Sequence, residues 1–185
     1  MYGVVRAALA QWASTPDPRE VAPVDPAEVH RVLDALDAAG CRAWVAGGWG
    51  VDALVGRQTR PHRDLDLALD ATGETAALGA LALLGYVVET DWRPVRVELA
   101  APGARWVDLH PVAFDAAGRG TQADRGGATF DYPVGCFVTG VVGGREVGCL
   151  SVAQQVAFHT GYPPRAVDLA DLAVLARLAE GGGAG

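Results

Sequence analysis

Residues 62–69 read His-Arg-Asp-Leu-Asp-Leu-Ala-Leu, and the alternation in this stretch decides how the rest of the chain is interpreted. Successive side chains of a β-strand point to opposite faces, so Asp64 and Asp66 share one face while the intervening leucines face a core. Two neighbouring carboxylates repel each other. The pattern therefore predicts either an exposed, solvated strand face or a bound cation. Mg²⁺ is the natural candidate because it takes carboxylate oxygens together with substrate phosphates.

A second strand-like segment, residues 106–110, carries a further carboxylate. Val107 and Leu109 fall on one face of this segment, and Asp108 and His110 fall on the other. If the segment lies beside the first strand, three carboxylates converge. Asp108 could then complete a metal site and orient or deprotonate an attacking hydroxyl. The alternative is a buried carboxylate that is paired with an arginine.

Gly47 and Gly48 follow a short strand-like run and precede a short helix. Such a turn exposes backbone N–H groups at a helix N-terminus, which is a ready anion site, and a side chain at Gly48 would block a phosphate. The motif is neither a P-loop nor a dinucleotide-binding fingerprint. Arg60 and His62, between the turn and the carboxylates, are candidate phosphate ligands. The alternative is that they form local hydrogen bonds that hold the loop.

The elements predicted along the chain give an α/β or α+β domain, with a small mixed β-sheet flanked by helices and further helices at the C-terminal end. A capping pattern at Asp25-Pro26 begins the first helix, which ends at Gly40. Further helices are predicted at about 51–55, 73–84, 151–159 and 166–179. Strands are predicted at 41–46, 63–69, 86–90, 94–100, 105–112, 136–142 and 145–149. Between 114 and 135 the chain is rich in Gly, Asp and Ala and shows few apolar runs.

Charge and composition narrow the class of partner. The chain has 185 residues and a formal net charge of −7. Nucleic-acid-binding domains are usually basic, so no nucleic-acid partner is expected, and an acidic surface favours a small cationic molecule.

The three cysteines are scattered, as in a reducing compartment. No stretch approaches the ~18 apolar residues of a membrane span, and no signal-peptide pattern is present. These features predict a cytoplasmic protein with no membrane partner.

Residues 45–67, read as VAGGWGVDALVGRQTRPHRDLDL, resemble the small nucleotidyltransferases that inactivate lincosamide and aminoglycoside antibiotics. These enzymes belong to the polymerase-beta-like nucleotidyltransferase superfamily. Residues 92–99, 106–112 and 158–162 are similar to the lincosamide branch, and the resemblance runs from about residue 28 to 178. It implies the nucleotidyltransferase fold, two Mg²⁺ ions, and ATP or another NTP as co-substrate. The implied reaction transfers a nucleoside monophosphate to a drug hydroxyl and releases pyrophosphate.

The resemblance also implies roles for individual residues. By position, Asp64 and Asp66 match the metal-binding pair, Asp108 matches the third carboxylate, and Gly47 and Gly48 match the phosphate turn. Arg96 could contact phosphate, or it could pair with Asp108 or Glu98. The candidate acceptor contacts are Glu98, His110, His159 and Tyr162. For His159 and Tyr162 the alternative is a capped helix end.

We divide the chain on this basis into four parts. Residues 1–24 form an N-terminal appendage and linker, 25–113 the nucleotidyltransferase core, 114–180 an acceptor-side segment with helices, and 181–185 a tail that is expected to be disordered. Residues 161–168 depart from the more acidic loop of lincosamide enzymes, so the acceptor stays open.

Two further functions remain possible: the same chemistry on a non-drug acceptor, such as a protein or tRNA, and nucleotide binding without turnover. A homodimer is also left open.

Overall fold

The computed structural model describes residues 23–103, 105–160 and 163–181, so most of the predicted appendage and of the terminal tail lies outside the described residues. The described helices are α1 (Pro26–Ala38), α2 (Gly47–Val55), α3 (Glu74–Leu83), α4 (Val152–Phe158) and α5 (Ala166–Gly181), with a 3₁₀ turn at Ala71–Gly73. The described strands are β1 (Ala43–Val45), β2 (Asp64–Asp70), β3 (Val87–Trp92), β4 (Arg96–Ala101), β5 (Arg105–Phe114), β6 (Gly120–Ala123), β7 (Thr129–Tyr132), β8 (Phe137–Val142) and β9 (Arg145–Leu150).

All the described strands form one mixed sheet. Its main path runs β3-β4-β5-β2-β1-β9-β8, and β6 pairs with β5 and β7 away from this path. The central strands β2 and β5 are parallel, whereas β1 is antiparallel to β2 and parallel to β9. A mixed α/β sheet flanked by helices is therefore confirmed. Within the described part of the chain, no helix is long and apolar enough to cross a membrane.

The core lies on the leucine face of β2, as the alternation predicts. Leu65, Leu67 and Leu69 are fully buried, and they pack in one cluster with apolar residues of α1 and α3. Burying these side chains directs the opposite face of the strand, with its carboxylates, away from the core. The apolar pattern thus determines the side of the sheet on which chemistry is possible.

Helix α1 begins at the predicted N-cap. The Asp25 carboxylate accepts a hydrogen bond of 2.8 Å from the Glu28 backbone N–H. The Glu28 side chain does not complete the capping box. It accepts a 2.5 Å hydrogen bond from the hydroxyl of Tyr86, just before β3, and pairs at 3.0 Å with Arg105 of β5. The residue that helps to begin the helix therefore also ties it to the sheet.

The segment from 114 to 135 contains β6 and β7, two strands that the sequence analysis did not predict. Each is only four residues long, and their buried positions include the polar residue Gln122, so no apolar alternation marks them. Strands β8 and β9 also extend the core sheet, since Val45 of β1 pairs with Cys149. Residues assigned to the core and to the acceptor-side segment thus share one sheet.

The junction at Val24 is also part of the packed structure. Val24 is only 2% exposed, and its N–H donates a 2.8 Å hydrogen bond to the His62 carbonyl. The linker assigned to residues 1–24 therefore ends against the loop that leads into β2.

Gly140 of β8 lies against α2, and replacing it with a larger residue tests the packing of this helix on the sheet. A Cβ there would lie 2.5 Å from the Ala53 carbonyl oxygen, whereas a Cβ at Gly79 in α3 would meet nothing within 4 Å. We expect Gly140→Ala to lower the free energy of unfolding by about 2 kcal/mol through overpacking. The control Gly79→Ala should raise it by up to about 1 kcal/mol through helix propensity. Urea denaturation measures both, and equal stability of the two variants would contradict this packing.

Candidate active site

The site is centred on the pairing of β2 with β5. In the parallel register of these strands, Asp66 lies opposite Asp108, so the structure brings together two of the three predicted carboxylates. Ligand atoms of Asp66, Asp108 and His110 all lie within 4.8 Å of one another. Asp64 lies two residues earlier on the same strand face and is outside this group of three. The arrangement is that of a potential metal centre.

Burial gives the carboxylates different acidities. It raises the pKa of Asp108 to about 6, despite the nearby charges of His110 and Arg96. Burial and the charge of Asp66 also raise the pKa of Asp64. For Asp66, burial raises the pKa, but the hydrogen bond from His110 and the nearby positive charges together lower it. For His110, burial lowers the pKa, but the hydrogen bond to Asp66 and the negative charges of Asp66 and Asp108 together raise it. Asp66 is therefore ionised at neutral pH, whereas Asp64 and Asp108 ionise at an energetic cost.

Asp108 shows that the donor set fits a divalent cation. Its Oδ2 accepts a close hydrogen bond from Nη1 of Arg96. Its Oδ1 is buried and has no hydrogen-bond partner among the described residues. A buried acceptor without a partner is costly, and a cation beside it would remove that cost. Together with Asp64 and Asp66, it offers the hard oxygen ligands that Mg²⁺ prefers.

The glycine turn lies directly against the carboxylate strand. Gly47 and Gly48 are the first two residues of α2, and Gly47 has a φ of +55°. A Cβ on Gly47 would lie 2.1 Å from Oδ2 of Asp66, and one on Gly48 would lie 2.4 Å from Nδ1 of His62. Glycine is thus required for this approach, and the free N–H groups at the start of α2 lie beside the carboxylates.

His62 makes the local hydrogen bond that was the alternative to a phosphate contact. Its ring is buried, and Nε2 contacts Oδ2 of Asp52 at 2.5 Å. Asp52 also accepts a 2.9 Å hydrogen bond from the Thr59 N–H, so it holds the loop that returns to β2. Asp52 was not predicted from the sequence. Its only signal was a carboxylate in an otherwise apolar helical run, Gly47–Val55.

A cavity of about 640 Å³ contains the site. Its polar wall includes the glycine turn, Asp64, Asp66 and Asp108. A second wall is aromatic and was not predicted; it is formed by Phe130, Tyr132 and Phe158. Tyr132 and Phe130 contact Phe158 edge-on, with ring centroids 5.1 and 5.7 Å apart, and Phe130 remains 43% exposed. The cavity therefore combines charged and apolar surfaces.

The remaining candidate residues differ in their access to this cavity. Arg60, Arg96, His110 and His159 line it, whereas Glu98 is not among its lining residues. Glu98 lies opposite Asp108 in the β4–β5 register and contacts Arg96 at 3.3 Å. Arg96 thus forms both ion pairs that were open from the sequence. Tyr162 lies outside the described residues.

Comparison with known proteins identifies the family. Residues 28–175 match the sequence model of the aminoglycoside-2''-adenylyltransferase family. The chain belongs to this family. A lincosamide resistance protein of Staphylococcus haemolyticus is 33% identical over 145 residues, which are 78% of this chain and 90% of the relative. A 2''-aminoglycoside nucleotidyltransferase of Escherichia coli is 32% identical over 128 residues, 66% of each protein.

A solved structure confirms the expected nucleotidyltransferase fold. The crystal structure of the lincosamide antibiotic adenylyltransferase LnuA, lincomycin-bound, matches with a TM-score of 0.77 and 32% identity. The match covers 84% of this chain and 99% of that chain. The present chain is accordingly an enzyme of the nucleotidyltransferase class.

In this nucleotidyltransferase, helix α5 is attached to the site through Asp171. Arg60 donates two hydrogen bonds to the Asp171 carboxylate, of 3.0 and 2.7 Å. Nε2 of His159 lies 3.9 Å from the same carboxylate, and Nδ1 contacts the Gln155 carbonyl at 2.7 Å. The loop before β2, the end of α4 and helix α5 are therefore joined at one buried acid.

The Asp171 contacts predict a pH-dependent stability. Burial alone would raise the Asp171 pKa, but the contacts with His159 and Arg60 lower it to about 2. Since the unfolded pKa is near 3.9, the contacts stabilise the fold by about 2 kcal/mol above that pH, and this contribution declines as the pH falls towards 2. We therefore expect Asp171→Asn to be less stable than wild type by about 2 kcal/mol at pH 7, with a smaller difference at pH 3.

Urea denaturation at several pH values measures this difference. The control is Asp34→Asn, because Asp34 pairs with Arg145 on the surface and should contribute little. A difference between wild type and Asp171→Asn that stayed constant from pH 7 to pH 3 would exclude the ionised contact as its source.

Proposed function

We propose that this enzyme transfers a nucleoside monophosphate from an NTP, in the first instance ATP, to a hydroxyl of a small antibiotic-like acceptor and releases pyrophosphate. The observation that carries the proposal is the placement of Asp66 opposite Asp108, with the glycine N-terminus of α2 against the Asp66 carboxylate. Carboxylates for a metal and N–H groups for a phosphate thus meet in one cavity. This combination is what nucleotidyl transfer requires.

Asp64, Asp66 and Asp108 would hold Mg²⁺, and two ions are proposed. The bound metal would neutralise the triphosphate and the charge that develops during transfer. Gly47 and Gly48 would bind phosphate oxygens through their N–H groups. Arg60 and Arg96 are proposed as further phosphate contacts, and His62 would contact phosphate only through Nδ1, because its Nε2 contacts Asp52. For Arg60 and Arg96, this requires a phosphate oxygen to share a guanidinium that already binds Asp171 or Asp108.

Asp108 is the proposed general base. The acceptor oxygen would form a bond to the α-phosphorus as the bond from that phosphorus to the bridging oxygen breaks, so that pyrophosphate leaves. The proton of the acceptor hydroxyl would pass to the Asp108 carboxylate. In the absence of metal, burial raises the pKa of Asp108 to about 6, so its carboxylate is more basic than that of an exposed aspartate.

The acceptor side of the cavity favours a lincosamide over an aminoglycoside. Two carboxylates of α5 line the cavity, but Asp168 is paired with Arg165 at 3.0 Å and Asp171 with Arg60 at 2.7 Å. A polycationic acceptor would have to compete with these arginines. An acceptor with one amine and apolar groups would use the aromatic wall instead. The lincosamide resistance protein and the LnuA structure, at 33% and 32% identity, are named for lincosamides, which agrees with this choice.

Residues on several sides of the cavity are proposed to contact the acceptor. His159 and His110 line the cavity and are proposed to meet the acceptor, as is Tyr162. Glu98 is proposed to act through Arg96, its ion-pair partner. Residues 114–180 would thus supply the aromatic wall and α5, and residues 25–113 would supply the nucleotide site.

Replacing Asp66 tests the proposed metal site. We expect Asp66→Asn to reduce pyrophosphate release with Mg²⁺ and ATP by about a hundredfold or more, since a charge that stabilises the transition state is lost. Asp70→Asn is the control. Asp70 lies on the same strand and is buried, but it pairs with Arg42 and does not line the cavity. Circular dichroism checks the fold of both variants. A folded Asp66→Asn protein with wild-type turnover would refute the proposal.

The choice of acceptor is tested with a panel of lincosamides and aminoglycosides, each combined with ATP, GTP, CTP or UTP and Mg²⁺. We expect a lincosamide to gain one nucleoside monophosphate in mass spectrometry and aminoglycosides to remain largely unmodified. Modification of aminoglycosides alone would contradict the argument from the paired carboxylates. Transfer only to components of a cell lysate would indicate a non-drug acceptor. Mg·ATP binding without any transfer would indicate a binding module.

A further inference from the structure

His110 has two possible relations to a metal bound at Asp66 and Asp108. Its Nε2 lies 3.2 Å from Oδ1 of Asp66, within the group of atoms that could surround one ion. A lone pair on Nε2 would make His110 a third ligand. A hydrogen on Nε2 would instead make it a donor to Asp66. The partner of the other ring nitrogen, Nδ1, decides between these alternatives.

That partner is Gln122, a buried residue of β6. Its Nε2 lies 3.2 Å from Nδ1 of His110 and donates a second hydrogen bond, also 3.2 Å long, to the Val95 carbonyl oxygen. Its Oε1 accepts a 2.7 Å hydrogen bond from the Tyr132 hydroxyl. Gln122 is only 7% exposed and Tyr132 only 1% exposed, so water has little opportunity to replace either contact.

These contacts allow one orientation of the Gln122 amide. If the amide were rotated by half a turn, Oε1 would face the Val95 carbonyl, and two acceptors would oppose each other. Burial raises the pKa of Tyr132, so its phenol remains a donor to Oε1. The Gln122 NH₂ group therefore faces Nδ1 of His110. A hydrogen on Nδ1 would point at a group that can only donate, so Nδ1 must accept.

We propose that Tyr132 and Gln122 position His110 with its hydrogen on Nε2, so that His110 orients Asp66 and is excluded from the metal. Asp66 then has Oδ1 bound to His110, while Oδ2 lies against the glycine turn. The ligands left for the metal are carboxylate oxygens, which suit Mg²⁺, and the site lacks the nitrogen ligand that would strengthen the binding of Zn²⁺ or Co²⁺. Hydrogen bonds of this kind around a metal centre commonly determine the orientation of its ligands.

This inference rests on the proposed metal site, but its test needs neither nucleotide nor acceptor. Nitrogen-15 NMR of the metal-free protein, labelled in histidine, reports which ring nitrogen carries the hydrogen. We expect Nε2 of His110 to be protonated and Nδ1 to be an acceptor in the wild-type protein. In Gln122→Glu, a carboxylate faces Nδ1, and the NMR signals should show a hydrogen there. Wild-type protein with the hydrogen on Nδ1 alone would overturn the proposal.

Metal selectivity is the second readout. Co²⁺ absorption spectra and Zn²⁺ calorimetry should show at least about tenfold tighter binding to Gln122→Glu or Gln122→Met than to wild type, because a nitrogen ligand becomes available. Adding His110→Ala should remove this gain. Gln154→Met is the matched control, since Gln154 is also buried but donates to the Asp131 carbonyl and does not line the cavity.

The outcomes separate this proposal from the proposed function. If His110→Ala alone weakened Zn²⁺ binding and the Gln122 variants did not differ from wild type, His110 would already be a ligand and the proposal would be wrong. The same holds if neither the wild-type protein nor the Gln122 variants bound divalent ions. If NMR and metal binding agreed with the proposal but no acceptor were modified, only the proposed function would fail.

Discussion

The structure depends on the parallel pairing of β2 with β5. Buried leucines on one face of β2 determine which way its carboxylates point, and the register with β5 then places Asp108 beside Asp66. Parallel strands cannot be joined by a tight turn, so the chain must cross over between them. It does so through α3 and the β3–β4 hairpin, and β4 returns beside β5 with Arg96 and Glu98. The crossover that permits the pairing therefore also supplies the charges around it.

This pairing has an energetic cost that the fold only partly offsets. Like charges are brought together on a half-buried surface, and the raised pKa values of Asp64 and Asp108 express that cost. Arg96 binds one oxygen of Asp108, and the other oxygen has no hydrogen-bond partner in the part of the chain that the structure describes. A site that were fully neutralised by its own arginines would have little affinity for a cation. The negative charge that the arginines leave uncompensated is thus the property that suits the site to a metal.

The sequence predicts those parts of the site that local pattern determines. Alternation was enough for β2 and for the faces of Asp66 and Asp108. The glycine pair marked a turn before a short helix at about 51–55, whereas α2 begins at Gly47 itself. Contacts between distant segments leave no such pattern. The ion pair between Arg60 and Asp171 joins residues 111 positions apart, and nothing near Arg60 in the chain indicates its partner. Strands β6 and β7 were missed for a related reason, since their inward side chains include Gln122 and few apolar residues.

The missed hairpin has consequences for how the carboxylates are used. Gln122 and Tyr132 contribute no charge, yet their hydrogen bonds place the His110 hydrogen on Nε2, the nitrogen that faces Asp66. Arg96 acts on Asp108 by charge and by direct contact, whereas Asp66 is held by the hydrogen bond from His110. Burial alone would raise the pKa of Asp66, but the contact with His110 helps to lower it, so Asp66 keeps its negative charge for a cation. Burial raises the pKa of Asp108 to about 6 despite the nearby charge of Arg96, so Asp108 is the group better suited to exchanging a proton.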